Sequence, residues 1–256
     1  MYICKKKICF YLLNHMKDAI VIIPTYNEIE NIEAIIRAIF LQSNDIHVLI
    51  IDDNSPDLTG IKVKELQNEY QGKLFLVSRK DKQGLGTAYI YGFKWCLART
   101  YKYIFEMDAD FSHDPKDLLK LYEACAERGA DMAIGSRYVT GVNVVNWPMG
   151  RVLMSYLASK YVRVITGMKI NDTTAGFVCY KRATLEALDL NKIKFIGYAF
   201  QIEMKFKTYL KKFKIVEVPV IFTDRTKGES KLSKGIISEA IFGVMSMKLR
   251  SMFKKY

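Results

Sequence analysis

The sequence predicts one α/β domain built on a parallel, doubly wound sheet, and three observations carry that expectation. Short, continuous apolar runs alternate with stretches of helical periodicity along the chain. No internal repeat, low-complexity tract or Pro/Gly/Ser-rich linker divides the 256 residues. Acidic and amide residues recur just after the apolar runs, at the strand ends where sheets of this class keep their ligands.

Each element follows from its pattern. "AIVIIP" (Ala19 to Pro24) is apolar without interruption, as a strand buried on both faces must be. Ile32, Ile35, Ile36, Ile39 and Phe40 then recur at i, i+3, i+4, i+7 and i+8, the spacing of an amphipathic helix. Asn27 with Glu30 three positions later predicts a capping box at its start. "HVLIID" (His47 to Asp52) is the second strand, Ile61 to Tyr70 a helix, "LFLVSR" (Leu74 to Arg79) the third strand, and Leu85 to Ala98 a helix. Tyr103 to Met107 is the fourth strand, and Pro115 to Arg128 a helix with proline at its first turn. Met132 to Gly135 is the fifth strand. "MKFKTYLKKFK" (Met204 to Lys214) reads as a solvated helix face. "QGLGTAY" lacks the Lys-Ser/Thr of a P-loop and the spacing of a dinucleotide fingerprint, so it is a tight turn into a helix.

Composition bounds the function. Half the residues are hydrophobic and 26% charged, the balance of a folded globular chain. The net charge of +12 favours anionic partners: nucleic acid, an anionic membrane or phosphorylated small molecules. The cysteines show no CxxC spacing or disulfide-like framework. No stretch reaches the roughly 18 consecutive apolar residues of a spanning helix. Residues 1–15 hold only a short apolar run after their lysines and read as a non-structural leader, with the domain proper at 16–235.

The strand ends carry the chemistry. They read Pro24-Thr25-Tyr26-Asn27-Glu28, Asp52-Asp53-Asn54-Ser55-Pro56-Asp57, Asp108-Ala109-Asp110 and Gly135-Ser136-Arg137-Tyr138. Two acids one residue apart repel each other unless a cation or hydrogen bonds offset the cost. Paired carboxylates suit Mg²⁺ or Mn²⁺, hard cations that take oxygen ligands and commonly bridge to substrate phosphates. Beside a pyrophosphate such an ion neutralises charge on a departing nucleoside diphosphate. His113, next to the acids, reads as a cap or loop residue.

"PTYNE", "IDDNSPDLTG", "GLGTA", "DADFSHDP", "GSRY" and "DRTKGESKLS" stand in the order and near the spacing of the dolichyl-phosphate (polyprenyl-phosphate) mannosyltransferases, which the chain resembles from Lys17 to about Gly235. These are inverting family-2 glycosyltransferases. The resemblance implies a GT-A fold: a Rossmann-like, mostly parallel sheet flanked by helices. It implies transfer of mannose from GDP-mannose to a polyprenyl phosphate. Pro24, Tyr26, Glu28, Ile51 and Asp53 look like the cradle for base and ribose. Asp108, Ala109 and Asp110 match the metal and donor-phosphate motif, Asp110 as the expected direct ligand, and Ser112, where some relatives carry glutamine, stands as a weaker third ligand or the place of a water. Arg137, Arg225 and Lys231 match basic residues around the donor phosphates and sugar, and Asp110 with these three is the expected catalytic set. Arg137, Arg151 and Ser155 match residues holding the acceptor phosphate.

A lipid acceptor requires a route to a membrane. "RVLMSYLASKYVRVITG" (Arg151 to Gly167) and the basic C-terminal stretch at 236–256 read as amphipathic helices able to lie in an interface. The expectation is a peripheral protein on the cytoplasmic face of a membrane, with a small membrane subunit as a possible partner and no nucleic acid. A UDP-glucose-dependent relative remains an alternative, as do a nucleotidyltransferase and a non-catalytic nucleotide-sugar or nucleic-acid binding module. The latter is disfavoured because acids at the rim repel a polyanion and no nucleic-acid signature is present.

Overall fold

The computed structural model describes residues 16–197, 199–224 and 234–253, with side chains in the last stretch described from 242. The expected leader, Arg225 and Lys231 lie outside the described residues.

The strands are β1 (Ala19–Thr25), β2 (His47–Asp52), β3 (Leu74–Ser78), β4 (Tyr103–Glu106), β5 (Met132–Ser136), β6 (Val144–Val145), β7 (Val178–Lys181), β8 (Ile215–Pro219) and β9 (Phe222–Thr223). The helices are α1 (Ile32–Phe40), α2 (Thr59–Gln67), α3 (Leu85–Leu97), α4 (Leu118–Ala126), α5 (Met149–Thr166), α6 (Arg182–Ala187), α7 (Ala199–Leu210) and α8 (Lys234–Phe253). Seven strands form one sheet in the order β3-β2-β1-β4-β7-β5-β8, and β6 pairs with β9 in a short ribbon. All pairings in the large sheet are parallel except those of β7, which runs antiparallel to both β4 and β5.

Alternation along β1 divides the core. Ala19, Val21 and Ile23 join the buried residues of α1, α2 and α4 on one face of the sheet. Ile20 and Ile22 join those of α3, α7 and α8 on the other. Both faces are covered, which is why the strand sequences are continuous apolar runs. The predicted stripe of α1 is the one buried: Ile32, Ile35, Ile36, Ile39 and Phe40.

Two local expectations are corrected. The capping box at Asn27 and Glu30 does not form: the N-cap of α1 is Asn31, and Asn27 sits at φ 57°. The reason is tertiary. The backbone N–H groups of Asn27 and Ile29 donate to Ser55 and Asp57 in the β2–α2 connection and that of Glu28 donates to Thr59 at the start of α2, so this segment docks against its neighbour instead of winding into the helix. Nor is the helix within Met204 to Lys214 a solvated face. Lys205 is 0% and Lys207 5% exposed; Lys205 donates to the Ala175 carbonyl, and Lys207 donates to the Lys192 carbonyl and pairs with Glu203. Carbonyls supplied by distant segments, and for Lys207 a carboxylate one turn back on the same helix, satisfy ammoniums that sequence periodicity assigns to water. Beyond α7, Lys211 and Lys212 are exposed as expected.

Candidate active site

β2, β1 and β4 are neighbours in the sheet and run parallel, so their carboxyl ends form one rim. Asp52 is part of its scaffold: it accepts from the hydroxyls of Thr25 and Ser55 at 2.9 and 2.6 Å and from the Ser55 N–H at 3.1 Å. Asp57 accepts from Thr59 and from the Ile29 N–H. Burial works against its charge, but these bonds prevail and hold the carboxyl below its ordinary value.

Of the expected base and ribose cradle, Pro24 near the end of β1 and Tyr26 and Glu28 just past it are partly exposed. Lys82 stands 4.6 Å from the Tyr26 ring centroid. Ile51 is wholly buried in the core, so its side chain supports the rim from beneath. Asp53 is held in a bidentate pair by Arg79, Nε to Oδ1 at 2.5 Å and Nη2 to Oδ2 at 2.7 Å, and Arg79 Nη1 donates to Thr87 at 2.7 Å. Thr87 lies in the first turn of α3, whose approach needs glycine: Gly84 has φ 98°, and a Cβ on Gly86 would stand 2.8 Å from the Phe195 carbonyl oxygen.

β4 ends at Glu106, and the acids follow in a loop rather than in the strand. Asp108 is partly exposed, while Ala109 and Asp110 are buried. Asp110 Oδ1 accepts from the Ser112 N–H at 3.1 Å, and Phe111 between them takes φ 59°. Among the described residues no three His, Cys, Asp or Glu side chains converge on a metal position. The oxygen-bearing side chains of this loop are Asp108, Asp110 and Ser112, and the buried Ser112 Oγ has no hydrogen-bond partner among the described residues. Two carboxylates beside an orphaned hydroxyl fit a hard divalent cation that draws its other ligands from water and phosphate.

His113 is a loop residue, as expected, but a buried one. Its Nδ1 accepts from the Asp108 N–H at 3.2 Å and its ring stacks on Phe177. Burial lowers its pKa to about 4, with Asp110 acting against the shift, so the imidazole is the neutral acceptor this hydrogen bond needs.

A chain of contacts runs from the acids to the expected acceptor residues. Phe222 touches both the His113 ring and the Arg137 guanidinium. Trp147 lies 5.5 Å from the Arg137 guanidinium and 4.1 Å from that of Arg151. Asp172 grips Arg137 through the backbone N–H at 3.0 Å, Nε at 2.7 Å and Nη2 at 2.6 Å, and Thr174 accepts from Nη2 at 2.8 Å. Arg151 pairs with Asp224 at 2.7 Å, and Asp224 is the last described residue before the segment carrying Arg225 and Lys231. Burial raises the Tyr138 hydroxyl, with Arg137 and the Ser155 hydroxyl opposing, which places Ser155 beside the same cluster. Sequence reasoning missed Arg79, Trp147 and Asp172. Arg79 ends the third predicted strand, where the strand-end rule could have found it; Asp172 gives no local signal.

The model of the family "Glycosyl transferase family 2" matches residues 20–189. The chain is 44% identical over 231 residues to a polyprenol monophosphomannose synthase of Mycolicibacterium smegmatis, covering 90% of this chain and 87% of that protein. It is 44% identical to an undecaprenyl-phosphate mannosyltransferase of Micrococcus luteus, covering 87% and 90%. Against a dolichol-phosphate mannosyltransferase of Pyrococcus furiosus the identity is 40%, covering 86% of this chain and 60% of that protein. Among solved structures, glucosyl-3-phosphoglycerate synthase of Mycobacterium tuberculosis in complex with Mn²⁺, UDP-glucose and phosphoglyceric acid superposes with a TM-score of 0.68 at 18% identity, over 92% of this chain and 82% of that one. The expected GT-A-type fold is thereby borne out. With the family model spanning most of the domain and two relatives at this identity over nearly their whole length, the chain is a member of glycosyl transferase family 2.

Proposed function

We propose that this chain transfers mannose from GDP-mannose to a polyprenyl phosphate with inversion, yielding a polyprenyl β-D-mannosyl phosphate and GDP. The observation that carries the reading is the run of groups along one rim. Oxygen donors at Asp108, Asp110 and Ser112 are followed by Arg137 and then Arg151, so a pyrophosphate and a second phosphate each meet the charge they require. The relatives named as polyprenyl-phosphate mannosyltransferases supply the acceptor class.

Pro24, Tyr26, Glu28 and Asp53 bind the nucleoside, with Arg79 fixing the Asp53 carboxylate. Asp108 and Asp110 hold Mg²⁺ or Mn²⁺, which supplies Lewis-acid neutralisation of the donor pyrophosphate. Arg137 is clamped on Asp172 and so meets the phosphates in a preset orientation, the condition under which electrostatic stabilisation costs no reorganisation. Arg151 and Ser155 receive the acceptor phosphate, and Arg225 and Lys231 are assigned to the leaving diphosphate and sugar. A phosphate monoester has a second pKa of about 6 and is largely dianionic near neutrality. It attacks without a general base, which suits a site whose buried histidine already accepts a backbone hydrogen bond.

Membrane docking is assigned to α5 and α8. Leu153, Tyr156, Leu157 and Val164 on α5, and Phe242, Leu249, Met252 and Phe253 on α8, are exposed, while Val162 and Val244 face the core. Among the described residues no helix is long and apolar enough to cross a membrane. Exposed apolar stripes flanked by lysine and arginine suit an interfacial position on the cytoplasmic leaflet, with a small membrane subunit as a further partner.

The test is a lipid-extraction assay with Mn²⁺ and a short polyprenyl phosphate, running labelled GDP-mannose against labelled UDP-glucose with Asp110→Asn as control. Label reaching the organic phase from GDP-mannose alone, and lost in the variant, supports the reading. Transfer from UDP-glucose alone overturns the sugar and keeps the mechanism.

A further inference from the structure

Beneath the acid loop lies a buried polar cluster that the transfer chemistry does not use. Lys205, on α7, has no exposed surface, and its ammonium donates to the Ala175 carbonyl at 2.6 Å and to the carbonyl and side-chain oxygens of Gln201 at 3.3 Å each. Glu106 is the last residue of β4, two before Asp108. Both its oxygens are buried, beside the Gln201 side chain and the Tyr180 hydroxyl. Burial lowers the lysine's pKa and raises the glutamate's, while each charge favours the other's ionised form. Buried charges of this kind are weak grounds for stability, since apolar residues of similar volume often serve as well. Their position suggests a different use.

Ala175 belongs to the segment 171–177 that leads into β7. Glu217 holds one end of that segment, accepting from the N–H groups of Asn171 and Asp172. Its middle carries Asp172 and Thr174, the two residues gripping Arg137. At its far end, a Cβ on Gly176 would stand 3.9 Å from Asp108 Oδ2 and 3.7 Å from His113 Cε1. The Lys205–Ala175 hydrogen bond therefore fastens the stretch between the Arg137 clamp and the point closest to Asp108.

We propose that Lys205 is a positioning residue for the transfer reaction: by pinning the Ala175 carbonyl it fixes the 171–177 segment and so sets Arg137 at its working distance from the Asp108–Asp110 loop. Lys205 touches no substrate and acts through Asp172 and Thr174. The inference rests on the functional reading above for what Arg137 does, but not for where the segment sits.

Lys205→Met alone leaves buried Glu106 without its nearby cation and risks misfolding, so the test uses E106Q/K205M compared with E106Q and the parent chain. Three quantities are measured: hydrogen exchange of amides 171–177, binding of GDP with Mn²⁺, and the separate kcat and donor KM for mannosyl transfer. Expected for E106Q/K205M relative to E106Q are exchange at least tenfold faster in 171–177, GDP–Mn²⁺ affinity within about twofold, and kcat at least tenfold lower with donor KM little changed. A merely structural lysine would lower the melting temperature and the folded fraction but leave kcat per folded molecule intact. Unchanged exchange in 171–177, or kcat per folded molecule within twofold of E106Q, overturns the proposal. A parent chain with no transfer activity overturns the functional reading instead, and the pin is then decided by the exchange result alone.

Discussion

Asp172→Asn isolates the grip on Arg137, and its cost can be worked from the structure. The Asp172 carboxylate has no exposed surface and takes three N–H donors from Arg137 at 3.0, 2.7 and 2.6 Å. Burial works against its charge; the guanidinium and its hydrogen bonds prevail and hold the carboxyl below its ordinary value. An asparagine of the same shape keeps one acceptor, turns an N–H₂ toward the guanidinium and leaves a buried cation without its counter-charge. Breaking one partner of such a pair costs about 3–5 kcal/mol. If Arg137 then fails to meet the phosphates, a charge-assisted hydrogen bond of about 1.5–3 kcal/mol is lost from the transition state, lowering kcat about 10- to 150-fold. Urea unfolding at pH 7 and the lipid-extraction assay, with donor and acceptor titrated separately, read the two effects. The pH dependence has a fixed sign. A depressed carboxyl pKa contributes stability that is complete above the unfolded value of about 3.9 and lost as pH falls through the folded value. The gap between parent and variant is thus constant near neutrality and narrows below about pH 4. A variant with parental stability at pH 7 and parental kcat refutes the clamp.

Arg79→Met leaves Asp53 buried without its bidentate partner, so it should destabilise the fold by about 3 kcal/mol and weaken nucleotide binding more than it lowers kcat; calorimetric titration with GDP and Mn²⁺ checks this, and unaltered affinity would remove Asp53 from the donor cradle. Gly135→Ala puts a Cβ 2.9 Å from Phe177, which stacks on His113. Overpacking there should cost about 1–3 kcal/mol, read as a lowered melting temperature. Leu153→Glu with Leu249→Glu changes two side chains each 55% exposed, so stability should stay within about 0.5 kcal/mol per site while co-sedimentation with anionic vesicles falls. Undiminished vesicle binding would take these two helices out of the membrane contact.

The first half of the fold is legible because parallel strands covered on both faces can only be apolar, and because α1 and α3 must bury one stripe. Asp53, Asp108, Asp110 and Arg137 are legible by the same logic, each standing at or just past a strand end. What escaped depends on partners distant in sequence. Asn27 looks like a cap until Ser55 takes its N–H. Lys205 and Lys207 look solvated until Ala175 and Lys192 present carbonyls to them. Ser112 is offered by the sequence only through resemblance; the structure adds that its hydroxyl, close to Asp110, has no partner among the described residues.

The antiparallel course of β7 decides why the site closes where it does. Its register places Val178 opposite Glu106 and opposite Ile134, so the start of β7 lies at the end of both β4 and β5. A parallel strand in that position would deliver its outgoing loop to the rim and carry its incoming segment to the opposite edge of the sheet. Reversal instead brings the incoming segment 171–177 to the rim, where Asp172 meets Arg137 as it leaves β5 and Gly176 approaches Asp108 as it leaves β4. One strand reversal thus couples the residues assigned to the metal and the residue assigned to the phosphates through a single short segment. "VCYK" reads the same for either direction, since alternation and burial are indifferent to polarity. The direction of β7, and with it the partner of Arg137, follows from the path through α5 and is settled only by tertiary packing.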